Sequence, residues 1–104
     1  MVLIKGYLAV IALTLLFPAY GWADGAADFK MKCAPCHGSR GAGDTKLGEN
    51  LHVRDLGSVD VQKQSDGKLI GIITKGNGTM PGYGDKLSRD QINEIVKFIR
   101  TLKR

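Results

Sequence analysis

The sequence predicts a small all-α domain of three to five short helices separated by glycine-rich loops. Three observations favour this fold class. Apolar residues near the C-terminus recur at intervals of three and four, as they do on one face of a helix. The fourteen glycines of the 104-residue chain fall almost entirely after residue 20, which is typical of a fold with many loops. No segment alternates apolar and polar residues for long enough to predict a strand.

The first 23 residues are predicted to be a cleaved secretory signal, and residues 24–104 are predicted to form the domain. Lys5 precedes an apolar run, Leu8–Phe17, which is followed by a breaker and by the small residues Gly21 and Ala23. This order is typical of export signals. An uncleaved membrane anchor and a buried core helix are the alternatives. The stretch is a poor spanning helix, because such a helix needs about 20 apolar residues.

Cleavage after Ala23 leaves 81 residues with a net charge of +4. A domain of this size has a marginal hydrophobic core and normally needs additional stabilisation. A disulfide between Cys33 and Cys36 closes too short a loop to supply much of it. Nine lysines and arginines follow residue 62, but the chain lacks the aromatic platforms of nucleic-acid-binding proteins. The composition therefore excludes a nucleic-acid partner and indicates that something else stabilises the fold.

Two of the predicted helices flank a long irregular region. The first is Ala26–Cys33, and the second is Ser65–Lys75, with its first residue as the N-cap and Gly76 at its end. Residues 38–48 are glycine-rich and are predicted to be a loop. Residues 49–60 show no clear period and are expected to be irregular.

The last helix has the clearest signal in the sequence. Ser88 begins it, and Gln91 stands at the spacing of a capping box. Its apolar stripe consists of Ile92, Ile95, Val96, Ile99 and Leu102. Basic residues crowd its C-terminal end, where they complement the helix dipole.

One motif carries chemistry, and it is Cys33-Ala34-Pro35-Cys36-His37. The pattern C-x-x-C-H is typical of covalent haem attachment. Two thiols at this spacing add to the two vinyl groups of haem and form thioethers. The adjacent histidine is then held under the ring as an axial iron ligand. A covalently bound haem would also supply the apolar core that so small a domain lacks.

Three other interpretations compete for the same cysteines. A thioredoxin-like redox pair would need a βαβ context, which the sequence does not show. A zinc site would need Cys33, Cys36, His37 and His52 to converge. A structural disulfide is possible in an exported protein. The predicted export signal favours haem, because haem is attached covalently outside the bacterial cytoplasm.

Met80 is the predicted second iron ligand. It lies 43 residues after His37, in a loop with glycines on both sides that can bend over the far face of the ring. Haem proteins of high potential use methionine in this position. Met31 precedes the attachment motif too closely to reach that face. His52 is the rival ligand, and an open iron site is the remaining alternative.

These residues resemble those of class I monohaem cytochromes c of the small bacterial or photosynthetic type. The likeness covers residues 25–102 and includes the haem motif, Thr79-Met80-Pro81 and the closing helix. It implies a cytochrome c fold around one covalent haem, with Gly25 and Phe29 packed against Ile95 and Phe98.

The chain also departs from that family. The family often has a proline whose carbonyl accepts the N–H of the haem histidine, but no proline lies between His37 and Met80 here. Gly48 or a neighbour is a candidate acceptor, and the sequence does not assign this hydrogen bond. Arg54 and Tyr83 are candidate partners of the haem propionates.

The predicted function is single-electron transfer by a monomeric periplasmic carrier. Cys33 and Cys36 would bind the haem, and His37 and Met80 would bind its iron. With six iron ligands, neither catalysis nor a small-molecule substrate is expected. The partners would be redox proteins with acidic docking surfaces. The alternatives are a five-coordinate haem protein that binds gas or peroxide, and a membrane-anchored subunit of a respiratory complex.

Overall fold

A computed structural model describes residues 23–104. The predicted signal lies outside the described residues except for Ala23. The helices, in chain order, are α1 (Gly25–Lys32), α2 (Ala34–His37), α3 (Lys46–Leu51), α4 (Val59–Gln62), α5 (Asp66–Lys75) and α6 (Arg89–Thr101). Residues 23–104 contain no strand, only an isolated bridge between Asn77 and Met80. None of the helices in this range is both long and apolar enough to cross a membrane.

The all-α fold class is confirmed, but the described part has six helices where three to five were expected. The difference lies in residues 34–62, where three short helices occur and the sequence predicted none. Thr45 caps α3 by accepting from the N–H of Gly48, and Ser58 caps α4 by accepting from that of Val61. Helices of four to six residues are too short to show a period, so the sequence pattern did not reveal them.

The two longer predicted helices have the predicted boundaries. Ser65 caps α5, and Gly76 follows its last residue. Ser88 and Gln91 form a complete capping box at the start of α6, with both reciprocal hydrogen bonds present. Helix α1 begins one residue earlier than predicted, because Asp24 is the N-cap and accepts a hydrogen bond from the N–H of Ala27.

Helices α1 and α6 cross at close range, as the family resemblance implied. A side chain at Gly25 would collide with the backbone of Glu94 and Ile95, so glycine permits this approach. One turn further on, the rings of Phe29 and Phe98 pack with their centroids 5.0 Å apart at an interplanar angle of 47°. The core around this crossing consists of Phe29, Cys33, Val61, Leu69, Ile73, Leu87, Ile92, Ile95, Val96 and Ile99.

Candidate haem-binding site

A cavity of about 470 Å³ lies in the interior of the domain, and all six helices contribute to its lining. Its size falls within the range of about 300–1,000 Å³ that is typical of ligand sites. Its walls have an apolar part and a polar part. The apolar lining residues are Phe29, Leu51, Val53, Leu56, Val61, Leu69, Ile72, Ile73 and Ile99. Such a cavity suits a large, flat and mostly apolar ligand.

Three of the four sequence-predicted site residues border this cavity. Cys33 and His37 line it from the first part of the chain, and Met80 lines it from the loop after α5. Cys36 is half-buried on the same turn as His37, but it is not among the lining residues. The fold therefore brings together residues that are 43 or more positions apart in sequence.

Helix α2 is a single turn that holds the attachment motif. The backbone N–H groups of Cys36 and His37 both donate to the carbonyl of Cys33, at 3.2 and 2.9 Å. Pro35 lies in the first turn of this helix, where its fixed φ is compatible with helix and its missing N–H costs nothing. The motif thus has a rigid local geometry.

The ring of His37 is oriented by a long-range hydrogen bond. Its Nδ1 lies 3.2 Å from the carbonyl oxygen of Arg54, and a carbonyl can only accept, so Nδ1 carries the proton. Nε2 is then left with the lone pair that a metal needs. Burial lowers the pKa of His37 and outweighs the opposite effect of the bond to Arg54. The imidazole is therefore held in its neutral, metal-binding form.

Gly48, the sequence-based candidate, is not the acceptor for His37. Its N–H donates to the hydroxyl of Thr45 at 2.8 Å, and that hydroxyl donates to the carbonyl of Cys36 at 2.7 Å. A side chain at Gly48 would collide with the Cys36 carbonyl. Gly48 therefore lets α3 pack closely against the attachment turn.

Cys33 and Cys36 are not joined by a disulfide, and their surroundings differ. Cys33 is buried, with 8% of its surface exposed. Burial raises the pKa of the Cys33 thiol to about 11, and the nearby charges of Asp28 and Cys36 add to the effect. The Cys33 sulfur thus lies between the core and the cavity border.

Met80 sits in a tight loop that is anchored at both ends. Asn77 and Met80 exchange two backbone hydrogen bonds of 3.0 Å, and Gly76 starts the loop with a φ of 85° that favours glycine. After the loop, the N–H of Tyr83 donates to the carbonyl of Ile73 at 2.8 Å. These bonds hold the half-buried Met80 side chain against the core.

The other sequence candidates divide between the cavity and the surface. Met31 is 72% exposed and does not line the cavity. His52 does line it, at the exposed end of α3, where its φ of 54° is left-handed. Arg54 also lines it, whereas the hydroxyl of Tyr83 donates to the carbonyl of Lys32 at 3.1 Å, and Tyr83 is outside the lining. Both proposed distal ligands, Met80 and His52, thus border the same cavity.

A zinc site finds no support in the geometry. Between residues 23 and 104, no three His, Cys, Asp or Glu side chains lie close enough together to hold a metal ion. Cys33, Cys36, His37 and His52 therefore do not converge as four tetrahedral ligands would have to.

Comparison with known proteins identifies the family. Residues 21–99 match the model of the family described as cytochrome c oxidase, cbb3-type, subunit III. The chain is 33% identical over 76 residues to cytochrome c6 of Microcystis aeruginosa, a match that covers 73% of this chain and 90% of that protein. The chain belongs to the class I c-type cytochromes.

Further relatives agree with this assignment. The cbb3-type cytochrome c oxidase subunit FixP of Azorhizobium caulinodans is 32% identical over 79 residues, which are 75% of this chain and 26% of FixP. The solved structure of the KustC0563 c-type cytochrome superposes with a TM-score of 0.73 at 31% identity, and covers 78% of this cytochrome and 99% of that chain. This cytochrome therefore carries one covalently bound haem c and transfers electrons.

The cavity fits a haem group on grounds of its own. The apolar residues of its walls can pack against the macrocycle. On its border, the Cys33 thiol can add to a haem vinyl group, and the His37 imidazole and the Met80 thioether can bind iron. Gln64 supplies a further sign that sequence reasoning missed. Its side-chain oxygen is buried at the cavity and has no hydrogen-bond partner among the described residues. A buried polar atom of this kind needs a partner, which an ordered water or a bound ligand supplies.

Proposed function

We propose that this cytochrome is a periplasmic electron carrier with His/Met iron ligation. Cys33 and Cys36 would form the thioethers, and His37 and Met80 would bind the iron. The observation that carries the proposal is that His37 and Met80 border one cavity, with Nε2 of His37 left free by the bond to Arg54. When bound, the haem supplies an iron that cycles between Fe(II) and Fe(III).

The residues of the chain affect both the rate of this electron transfer and the reduction potential of the iron. The apolar part of the walls excludes water, which keeps the solvent rearrangement on electron transfer small. A thioether ligand favours Fe(II) and raises the potential relative to two histidines. The hydrogen bond of His37 to Arg54 and the anchored loop of Met80 hold both side chains in place.

Replacement of the two rival ligands tests the distal position. Met80→Ala should abolish the near-infrared sulfur-to-iron band of the oxidised protein and lower its potential. His52→Ala should retain both, and so should Met31→Leu, a control at an exposed methionine outside the cavity. If His52→Ala alone changes the band and the potential, His52 is the ligand. A wild type that lacks the band and binds carbon monoxide readily would instead be a five-coordinate haem protein.

Attachment is tested separately. With thioethers at Cys33 and Cys36, haem should stay with the polypeptide after denaturation and acid extraction. Cys36→Ala should leave one bond or none. Haem that extracts freely from the wild type would contradict the proposed role of both cysteines.

A second candidate function is that of a cytochrome domain in a membrane-bound oxidase. The match to the subunit III family and to FixP favours it, whereas the likeness to cytochrome c6 favours the carrier. Cell fractionation separates the two. A carrier should be released with the periplasmic contents, and an oxidase subunit should sediment with membranes until detergent is added.

A further inference from the structure

Gln64 occupies a fixed position between two helices at the edge of the haem cavity. It follows α4 and directly precedes Ser65, the N-cap of α5. Arg100 on α6 holds this segment from outside, since its guanidinium donates to the carbonyls of Gln62 at 2.8 Å and Gln64 at 2.5 Å. The backbone at Gln64 is therefore fixed, and its side chain is directed to the cavity that it lines.

The amide of Gln64 has hydrogen-bonding capacity left over. Its nitrogen donates to the carbonyl of Asp60 across a long 3.3 Å, which uses one of two N–H groups. Its oxygen is buried and has no partner within residues 23–104. A half-turn about the last side-chain bond exchanges oxygen and nitrogen without changing the shape of the group. With its oxygen in the cavity, the amide keeps the bond to Asp60 and accepts from a protonated group. With its N–H groups in the cavity, it donates to a carboxylate and loses the bond to Asp60, because the oxygen cannot donate to that carbonyl.

A haem offers few groups that match such an amide. Its macrocycle is apolar, and its four ring nitrogens are bound to iron. Its two propionate groups are the remaining polar parts, and each can accept an N–H as a carboxylate or donate a proton as an acid. Two basic residues on the same lining, Arg54 and Lys68, make this a favourable environment for carboxylates.

We propose that the side-chain amide of Gln64 is the buried hydrogen-bond partner of a haem propionate. The inference rests on the cavity being the haem site proposed above. The amide binds the carboxyl group without adding charge, whereas Arg54 and Lys68 add charge at more exposed positions. An N–H bond draws negative charge away from the carboxylate and so weakens its stabilisation of Fe(III). Gln64 is therefore a positioning residue that also raises the potential.

Nuclear magnetic resonance of the reduced, diamagnetic holoprotein tests the contact directly. The side-chain amide protons of Gln64 should show cross-relaxation with the methylene protons of one haem propionate. Those of Gln91, which lies in the first turn of α6 outside the cavity lining and donates to Asp28 at 3.3 Å, should show none. Absence of this cross-relaxation for Gln64, or cross-relaxation with a bound water alone, would overturn the inference.

Substitution supplies the functional readout. Gln64→Leu should lower the potential and shift the propionate signals, and Gln64→Glu should lower the potential further at neutral pH by adding a like charge. Gln91→Leu removes the same amide away from the cavity and should leave the potential unchanged. Unchanged potential and propionate signals in Gln64→Leu would contradict the proposal. Covalent haem and the sulfur-to-iron band should persist in every variant, and their absence from the wild type would refute the proposed ligand set instead.

Discussion

Nδ1 of His37 lies 3.2 Å from the carbonyl oxygen of Arg54, 17 residues further along the chain. This carbonyl takes the part that a proline carbonyl often plays in the family. Its position depends on the turn that follows, residues 55–57, where the N–H of Gly57 donates to the carboxylate of Asp55 at 2.9 Å. The orientation of the proposed iron ligand therefore depends on contacts that hold this turn.

Arg104 is the principal contact that holds the turn from outside. Its guanidinium pairs with the Asp55 carboxylate and donates to the carbonyl of Arg40 at 2.9 Å. The backbone N–H of Arg104 donates to the carbonyl of Gly57 at 3.1 Å. Asp55→Asn or Arg104→Gln should lower the free energy of unfolding by less than about 1 kcal/mol, because the pair is partly exposed and screened. A double-mutant cycle by thermal unfolding measures their coupling. Lys63→Gln, which removes a more exposed pair with Asp60, is the control.

The contribution of Asp55 should depend on pH in a defined direction. Burial raises the pKa of its carboxyl group, but the hydrogen bonds from Arg104 and Gly57 outweigh this and leave the pKa lowered. A lowered folded-state pKa means that the stabilisation is present above the unfolded value of about 3.9 and is lost as pH falls through the folded value. The difference in Tm between wild type and Asp55→Asn should therefore shrink below pH 4. A constant difference down to pH 2 would show that the carboxylate charge contributes nothing.

Local signals account for what the sequence predicted correctly. Ser65 and Ser88 cap α5 and α6 at the expected residues, since a cap needs only its own turn. The attachment motif and Met80 were predicted as site residues from residue type and spacing, and Cys33, His37 and Met80 border one cavity. All of these features can be recognised within a few neighbouring residues.

The features that the sequence did not reveal depend on long-range contacts. The Arg54 carbonyl is a backbone atom in a segment without a motif, and only the folded turn brings it to His37. Gln64 has an ordinary polar side chain, which becomes informative only because the fold buries its oxygen at the cavity. No local pattern distinguishes such residues from solvated surface ones.

Two helix glycines have different surroundings, which predict opposite effects of substitution by alanine. Gly25→Ala places a methyl group against the backbone of Glu94 and Ile95, which cannot rotate away, so it should destabilise the fold by about 1–3 kcal/mol. Gly71→Ala, inside α5 with open space around it, should stabilise the fold by up to about 1 kcal/mol through helix propensity. Thermal unfolding of the holoproteins measures both. Equal effects of the two substitutions would show that α1 and α6 are not in close contact.

The reactivity of the cysteines reports whether the chain folds without haem. We expect apo-protein made without the attachment machinery to be largely unstructured, because so small a domain lacks a sufficient core. Cys33 and Cys36 should then react with iodoacetamide at similar rates at pH 8. In a folded apo-protein, the buried Cys33 thiol with its pKa of about 11 would react far more slowly than Cys36. Slow alkylation of Cys33, together with a cooperative thermal transition, would show that the core stands without the cofactor.

Lys68 and Arg54 are the two lysine or arginine residues that line the cavity, and both are exposed. Lys68 lies on the first turns of α5. A single positive charge there should speed the encounter with an anion, because surface charge raises association rates at low ionic strength. Ferricyanide, a trivalent anion, is a suitable probe for oxidation of the reduced protein.

Lys68→Gln should slow oxidation by ferricyanide about two- to fivefold at low ionic strength, because a unit charge about 10 Å from a trivalent anion contributes roughly 1 kcal/mol in water before screening. The difference should largely vanish in about 1 M salt, where the screening length is about 3 Å. Lys97→Gln is the control, since Lys97 is paired with Glu94 at 2.8 Å and does not line the cavity. Stopped-flow absorbance at several salt concentrations measures the rates. If both variants slow the reaction equally, the attraction comes from net charge alone, and the cavity mouth has no special role in docking.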